Sequence, residues 1–457
     1  MATLQTLQCH FTWGITFDTL LDLDFFLIYL TQKAKYTSYG NGSIYLAMKA
    51  FLYSAQRRYA EALSSLLQAE LVLKVDHPTN FDLYSLVTYG NYAWIYYYLA
   101  NFPKVEFYLA EIRRVCQSLK SPLLYSVMTP EIMGQKGWSL LIGGSQAKVD
   151  AMRCFQMALR DDPSNIEFKG GLASCLYTLR ESFQTTDYQD QAKTLLEEVL
   201  LTQPENYEAK VYLANLLLDQ DEEKANGHLG DVVQNCLCTI VLREASLLCM
   251  RTKPQRVSQA ISILQKAISI EPDFHFLYYE LGMYYKYNML PEASPEQRPA
   301  MLEAAKENFQ QAAQANLLFV FPILELAKIY GETVPAYEEE IYLRLMDELP
   351  TISKPFQIAI FLSWGNFLLY KKEQKYKAME MFIAGLSIPG GRLKDRDQLK
   401  KQLVRLARMF QENAEMDRVD TIHRFLGMVE RQEVDALSTS VVEQLQGLEV
   451  KETLSHP

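Results

Sequence analysis

An all-α solenoid is what this sequence predicts, and two observations predict it. Three stretches rhyme, ALRDDPSN, VLLTQPEN and AISIEPDF, with their prolines at Pro163, Pro204 and Pro272. The last two prolines lie 68 residues apart, twice a 34-residue period, and the first gap of 41 is one period with a seven-residue insertion. Strand signals are nearly absent, since Asn41-Gly42 and Asn226-Gly227 fall between helical patterns rather than between alternating apolar runs. A 34-residue period is that of the tetratricopeptide repeat, so the fold class is all-α, a tetratricopeptide-repeat superhelix (helix-turn-helix solenoid) with irregular insertions.

Each copy can be justified in turn. The pattern asks for Ala, a bulky apolar residue, Ala and Pro, and the chain supplies Ala151/Phe155/Ala158/Pro163 and Ala260/Leu264/Ala267/Pro272. The middle copy reads Ala192/Leu196/Val199/Pro204. Small residues recur where the two helices of a repeat cross closely, and proline closes the second helix because it cannot donate the next hydrogen bond. Weaker copies are Ala62/Leu66/Ala69, Leu281/Gly282/Tyr285 with Ala305/Phe309/Ala312, Leu326/Ala327/Tyr330 and Ala378/Phe382. Roughly eight to ten helical pairs fit the chain. Residues 181–190, 219–230 and 290–301 are polar or proline-rich and are expected to be loops. The expected organisation is an N-terminal helical subdomain over 1–130, a central one over 131–300, a C-terminal one over 301–445 and a flexible tail over 446–457.

The chain has 457 residues, 49% hydrophobic and 22% charged, with a formal net charge of −10. That charge argues against polyanion binding over the whole surface, yet leaves room for a local basic cavity, because screening confines what a phosphate feels to nearby groups. The seven cysteines are scattered, most of them among apolar neighbours, and read as buried thiols of a reducing compartment. No Lys or Arg precedes Lys33, so no signal-peptide n-region is expected, and the apolar run Phe25 to Leu30 is too short to span a bilayer. A cytoplasmic protein without membrane contact is the expectation.

Catalytic signatures are missing. There is no P-loop, no GxSxG and no HExxH. Asp161-Asp162 and Glu338-Glu339-Glu340 read as solvated helix ends or loops. Cys9-His10 has no second pair at zinc spacing and, like Cys236-x-Cys238, reads as packing. The clusters Trp94-Ile95-Tyr96-Tyr97-Tyr98 and Tyr284-Tyr285-Lys286-Tyr287 could stack bases, but such tyrosines more often pack between repeats. No metal, no cofactor and no enzymatic activity is expected.

LQCHFTW at 7–13, SLVTYGNYAWIYYYLANF at 85–102, PEIMGQKGWSLL at 130–141 and LSWGNFLLYKKEQKYKAMEMFIAGLSI at 362–388 resemble the interferon-induced proteins with tetratricopeptide repeats. The resemblance covers nearly the whole chain. It implies a cytosolic antiviral effector without enzymatic activity, and in several members a basic tunnel that takes the 5′ end of foreign RNA, triphosphorylated or capped. On that resemblance Trp138 matches a cap-stacking tryptophan, and Tyr177, Asn206 and Arg243 match cavity-lining positions. Lys148 stands where the family often has tyrosine and returns one charge. The same register places Ile142, Thr178, Leu247 and Tyr279-Glu280 where the family carries polar or basic groups, so the cradle has lost positive charge. Gln32 and Lys35 are the nearest matches to N-terminal tunnel residues, in a stretch where the register slips.

One basic patch stands on the residues themselves. On a helical wheel Lys400, Lys401, Arg405 and Arg408 share one face, and Leu399, Leu403, Leu406 and Phe410 share the other. Cations so arranged could track an RNA backbone; a solvated surface is the plainer reading. Two functions from different classes follow. The first is capture of single-stranded viral or non-self RNA at its 5′ end, with Trp138 as base platform and Lys148, Arg243 and the basic helix supplying charge, and a block to translation as the result. The second is a protein scaffold that holds other members of the same family and has weak or no 5′-end recognition. Neither involves DNA.

Overall fold

In a computed structural model of the chain, the described residues are 1–15, 23–143, 145–183, 186–252 and 256–431, and they contain no strand. The expected tail over 446–457 lies outside them. The chain forms two compact units, Met1–Ala315 and Asn316–Pro457.

In the first unit, helices pair in sequence order: Gly42–Ala55 with Tyr59–Asp76, Phe81–Tyr98 with Phe102–Ser118, and Pro130–Leu141 with Ser145–Asp161. Ile166–Phe183 with Thr186–Thr202, Tyr207–Leu217 with Glu222–Asn235, Val257–Ile270 with Thr239–Thr252, and His275–Tyr284 with Arg298–Ala315 continue the series. From Gly42–Ala55 to Thr239–Thr252, the first helices of successive pairs touch one another and form an inner layer. The small residues expected at crossings are where the helices meet. Ala151, Phe155, Ala158, Ala192, Leu196, Val199, Ala260, Leu264 and Ala267 are all fully buried. Phe155 shows why size matters: a Cβ added at Gly171 would come within 2.2 Å of its ring, and one at Gly137 within 2.8 Å. Two bare backbones therefore close on one phenyl ring, a density that leaves no room for a methyl.

Two of the three expected loops are mostly helix. Over 219–230, Asp221 caps the Glu222–Asn235 helix by accepting from the Lys224 backbone N–H at 3.0 Å, and Glu222 and Glu223 occupy its first turn. Acidic residues favour a helix N-terminus, so a charged run that looked like a loop is a helix start. Over 181–190 the chain is helical up to Phe183 and again from Thr186, with Asp187 in the first turn. The longest break among the described residues of these stretches is in 290–301, at residues 293–297, after a π-helical turn at Tyr285–Met289.

The second unit repeats the plan with Val320–Thr333 and Pro335–Asp347, Lys354–Tyr370 and Lys375–Ser387, then Leu393–Glu412 followed by helical residues 416–431. Here one sequence reading is corrected. Glu338 is not solvated but 3% exposed, where it accepts hydrogen bonds from the Lys371 ammonium and the Tyr342 hydroxyl. Glu339 pairs with Lys372 at 2.6 Å. Glu338 lies in the first turn of the Pro335–Asp347 helix on the face that meets Lys371 and Tyr342, a tertiary choice invisible in three consecutive glutamates.

All seven cysteines are buried free thiols. His10 is a buried tie: the Asn91 side-chain amide donates to its Nδ1 at 2.8 Å, so its Nε2–H donates to the Ser139 hydroxyl at 3.1 Å. Burial pushes this imidazole down to about 3, which keeps it neutral. In the aromatic run, Trp94 is buried with its indole donating to the Leu4 carbonyl and Tyr96 stacks on Tyr108 at 5.8 Å, while Tyr98 is exposed. No described helix is long and apolar enough to cross a membrane.

Candidate functional site

The Leu23–Tyr36 helix precedes the repeats and lies against their inner layer, packing on Gly42–Ala55 and reaching Thr239–Thr252. Its Leu27 and Leu30 join Tyr45, Met48 and Leu52, with Ile142 against them. Ile142 thus fills an apolar seam where the resemblance asked for a basic residue. Near the other end, Phe25 packs on Phe276 with ring centroids 4.8 Å apart. Polar ties finish the attachment. The Gln32 amide donates to Glu271 at 2.8 Å, the Gln32 oxygen accepts from the Thr239 backbone N–H at 3.2 Å, and Lys33 forms an ion pair with Glu208.

Two cavities open beside this helix. One, of about 300 Å³, is lined by Lys33, Lys35, Asn206, Glu208, Asn235 and Cys236 among others. The second, about 70 Å³, has Tyr29, Tyr212, Glu208 and Glu244 in its wall. Glu208 belongs to both. It also accepts from the Tyr212 hydroxyl at 2.9 Å, so its two oxygens serve two different neighbours.

The electrostatics of this region are unusual for a polyanion site, because its buried cations already have partners. Burial works against the Lys33 ammonium, and Glu208 outweighs it, holding the group well above its usual range. Arg243 is gripped by Glu280 through Nε at 2.9 Å and Nη2 at 2.6 Å, and touches Glu244 at 3.2 Å. Its guanidinium also sits over the Phe276 ring, 5.0 Å from the centroid. A fork-to-fork pair of this kind fixes both partners strongly. Lys148 is half-buried, and burial pulls its ammonium below the usual lysine range. Lys35 is exposed at the rim of the larger cavity.

The other sequence candidates have defined places. Asn206 is buried at the wall of the larger cavity and caps the Tyr207–Leu217 helix, accepting from the Ala209 N–H at 3.1 Å. Tyr177 stacks on Tyr212 at 4.1 Å, carries the Arg180 guanidinium 4.0 Å above it, and accepts from the Asn215 amide through its hydroxyl. Thr178 turns its hydroxyl back to the Ser174 carbonyl at 2.9 Å. Trp138 is 1% exposed, between Tyr39 at 5.1 Å and Phe155 at 5.3 Å, so neither face of the indole is open. A base could stack on it only by displacing a neighbour.

Beside Trp138, burial pushes the Glu167 carboxyl up to about 8, while the indole N–H pulls the other way. A folded pKa above the unfolded value means that the fold retains a proton the unfolded chain has already lost. The cost is nil below the ordinary value, grows as pH rises and is complete above about 8. Glu167→Gln is therefore expected to raise the melting temperature at pH 8 and leave it unchanged at pH 4. An equal effect at both pH values would mean that the carboxylate is solvated.

In the second unit the amphipathic reading of Leu393–Glu412 agrees with the structure, since Leu399, Leu403, Leu406 and Phe410 are fully buried. Lys401, Arg405 and Arg408 are exposed and Lys400 is half-buried. Arg405 donates to the Tyr370 hydroxyl at 2.9 Å and lies over that ring. Of the residues the sequence offered for the site, Asn206 and Lys35 line the larger cavity. Sequence reasoning missed Glu208, Glu244, Tyr29 and Tyr212. A signal for Glu208 existed in its place four residues after Pro204, at the start of an inner-layer helix, but its partner Lys33 is 175 residues away.

No family model matches the chain. It is 28% identical over 426 residues to the human antiviral innate immune response effector IFIT1, covering 89% of this chain and 88% of that protein. It is 27% identical over 426 residues to human interferon-induced protein with tetratricopeptide repeats 2, covering 89% and 87%. Among solved structures, a human IFIT1 dimer with PPP-AAAA superposes with a TM-score of 0.62 at 26% identity, covering 93% of this chain and 95% of that one. The chain is a homologue of the interferon-induced proteins with tetratricopeptide repeats.

Proposed function

We propose that this chain is a cytoplasmic antiviral effector without enzymatic chemistry, which captures single-stranded non-self RNA by its 5′ end and blocks its translation. The observation that carries the reading is likeness over about nine-tenths of the length to a protein whose solved structure holds PPP-AAAA. The cavity of about 300 Å³ beside the Leu23–Tyr36 helix lies within the size range of small-ligand sites. In this reading the cavity, with Lys35 at its rim and Asn206 in its wall, receives the 5′ nucleotide. Tyr177, stacked on Tyr212 in the wall of the smaller cavity, and Lys148 add an aromatic face and a charge, and Trp138 becomes a platform once a neighbour moves. The Lys400, Lys401, Arg405 and Arg408 face supplies sequence-independent backbone contacts.

A second reading, a scaffold for other members of the family, is favoured by one observation: Lys33 and Arg243 are already neutralised by Glu208 and Glu280. The test is a gel-shift titration at physiological salt with one short RNA in linear and circular form, the linear RNA carrying a 5′ hydroxyl, triphosphate or unmethylated cap. Retention of at least one linear form with no retention of the circle supports 5′-end capture. Equal retention of circle and linear forms would leave only backbone contacts, and no retention at all would move the assignment to the scaffold.

A further inference from the structure

We infer that Glu208, in the wall of the larger cavity, and Glu280, whose partner Arg243 also touches Glu244 in the wall of the smaller one, are specificity-determining residues that turn this region against a 5′ triphosphate, because each holds a cation that a terminal phosphate would need. The inference rests on the 5′-end reading above and refines it: the preferred RNA ends in a group other than an exposed phosphate.

The geometry is specific. Arg243 spends Nε and Nη2 on the two oxygens of Glu280 and Nη1 on Glu244, so every nitrogen of its guanidinium already donates to a carboxylate. A phosphate approaching it must either add negative charge to two carboxylates already present or displace Glu280. Glu280 is 8% exposed, and displaced it would be a buried carboxylate without a counter-ion. Removing one partner of such a pair is far costlier than the pair itself is worth. Lys33 repeats the arrangement: its side chain is 6% exposed and paired with Glu208, and both residues line the larger cavity. Glu244, 42% exposed, adds a third carboxylate to the wall of the smaller cavity. An uncharged 5′ terminus makes no such demand on these pairs.

Thr178 fits the same picture. Its hydroxyl donates within its own helix to the Ser174 and Cys175 carbonyls, and a neutral threonine brings no cation to replace those engaged elsewhere. Ile142 likewise packs against the Leu23–Tyr36 helix and supplies no charge.

The test titrates 5′-triphosphate and 5′-hydroxyl forms of one short RNA against wild type, Glu280→Gln, Glu208→Gln and Glu244→Gln over a range of salt, with thermal melts establishing that each variant is folded. Glu280→Gln and Glu208→Gln are each expected to raise the affinity for the triphosphate relative to that for the hydroxyl form roughly tenfold, the size of one recovered charge-assisted contact. The slope of log affinity against log salt for the triphosphate should steepen by about 0.7 per recruited cation, which a purely structural role would not produce. Glu244→Gln, at the more exposed position, should give a smaller gain of the same sign and decides the matter if the other two variants melt. Triphosphate binding unchanged in every folded variant overturns the inference. Hydroxyl RNA bound by wild type alongside that result leaves 5′-end capture standing. A variant that gains triphosphate binding where wild type holds no RNA supports the inference and removes the 5′-end reading. No binding by any protein removes both.

Discussion

Trp138→Ala is expected to cost roughly 3–5 kcal/mol of folding stability, the range for truncating a large buried aromatic. The side chain is 1% exposed, edge-on to Phe155 at 5.3 Å and tilted against Tyr39 at 5.1 Å, with Gly137 and Gly171 closing on Phe155 from either side. Removing the indole empties a space that two backbones held at contact distance cannot easily fill. Trp138→Phe should cost less than half as much. It keeps an aromatic ring between Tyr39 and Phe155, and it removes an indole nitrogen that is buried without a well-aligned hydrogen-bond partner. Urea denaturation of the two variants checks this directly. If Trp138→Ala melts like wild type, the ring is not part of the core. The consequence for the RNA question is practical: a loss of binding in Trp138→Ala mixes lost stacking with lost packing, and Trp138→Phe separates them, because a phenyl ring still offers a stacking face while changing the fold less.

The parts of this molecule legible in its sequence are those set by local periodicity. Ala151, Phe155 and Ala158 announce a close helix crossing because their spacing is that of one helix face, and the structure buries all three. Leu399, Leu403, Leu406 and Phe410 are legible for the same reason. The charged run at 219–230 misled because a cluster of acids is as natural at a helix start as in a loop, and only Asp221's capping bond tells them apart. Glu338 misled because its neighbours in sequence do not show which face of the helix meets Lys371. The candidate site is the least legible part. Glu280 could be recognised as a charge hostile to phosphate, but not as the clamp on Arg243, and Glu208 meets Lys33 across 175 residues. Tertiary ion pairs leave no periodic trace.

Arg243→Met alone is expected to destabilise the protein by roughly 3–5 kcal/mol, whereas the double variant Arg243→Met, Glu280→Gln should return to within about 1 kcal/mol of wild type. The single change leaves the Glu280 carboxylate, 8% exposed, without the guanidinium that holds both its oxygens. The double change removes the charge along with its partner, and the methionine stem can still pack on Phe25 and Phe276, where the arginine now lies. The sign of the pH dependence follows. Burial already raises the Glu280 carboxyl against the pull of Arg243, and without the guanidinium burial and the Glu244 charge raise it further. The single variant should then approach wild-type stability in acid, where the carboxyl is protonated in both states, and fall away as pH rises through the folded value. The double variant should lack that slope. Urea melts of wild type, both singles and the double across pH 4–8 read the coupling between the two residues as a cycle. A single variant as stable as the double would mean that Glu280 finds another partner or water once Arg243 is gone, and the two charges would then be neighbours rather than a mutually dependent pair. A strong coupling makes Arg243 a structural cation first, one that a ligand phosphate can recruit only after Glu280 has been neutralised.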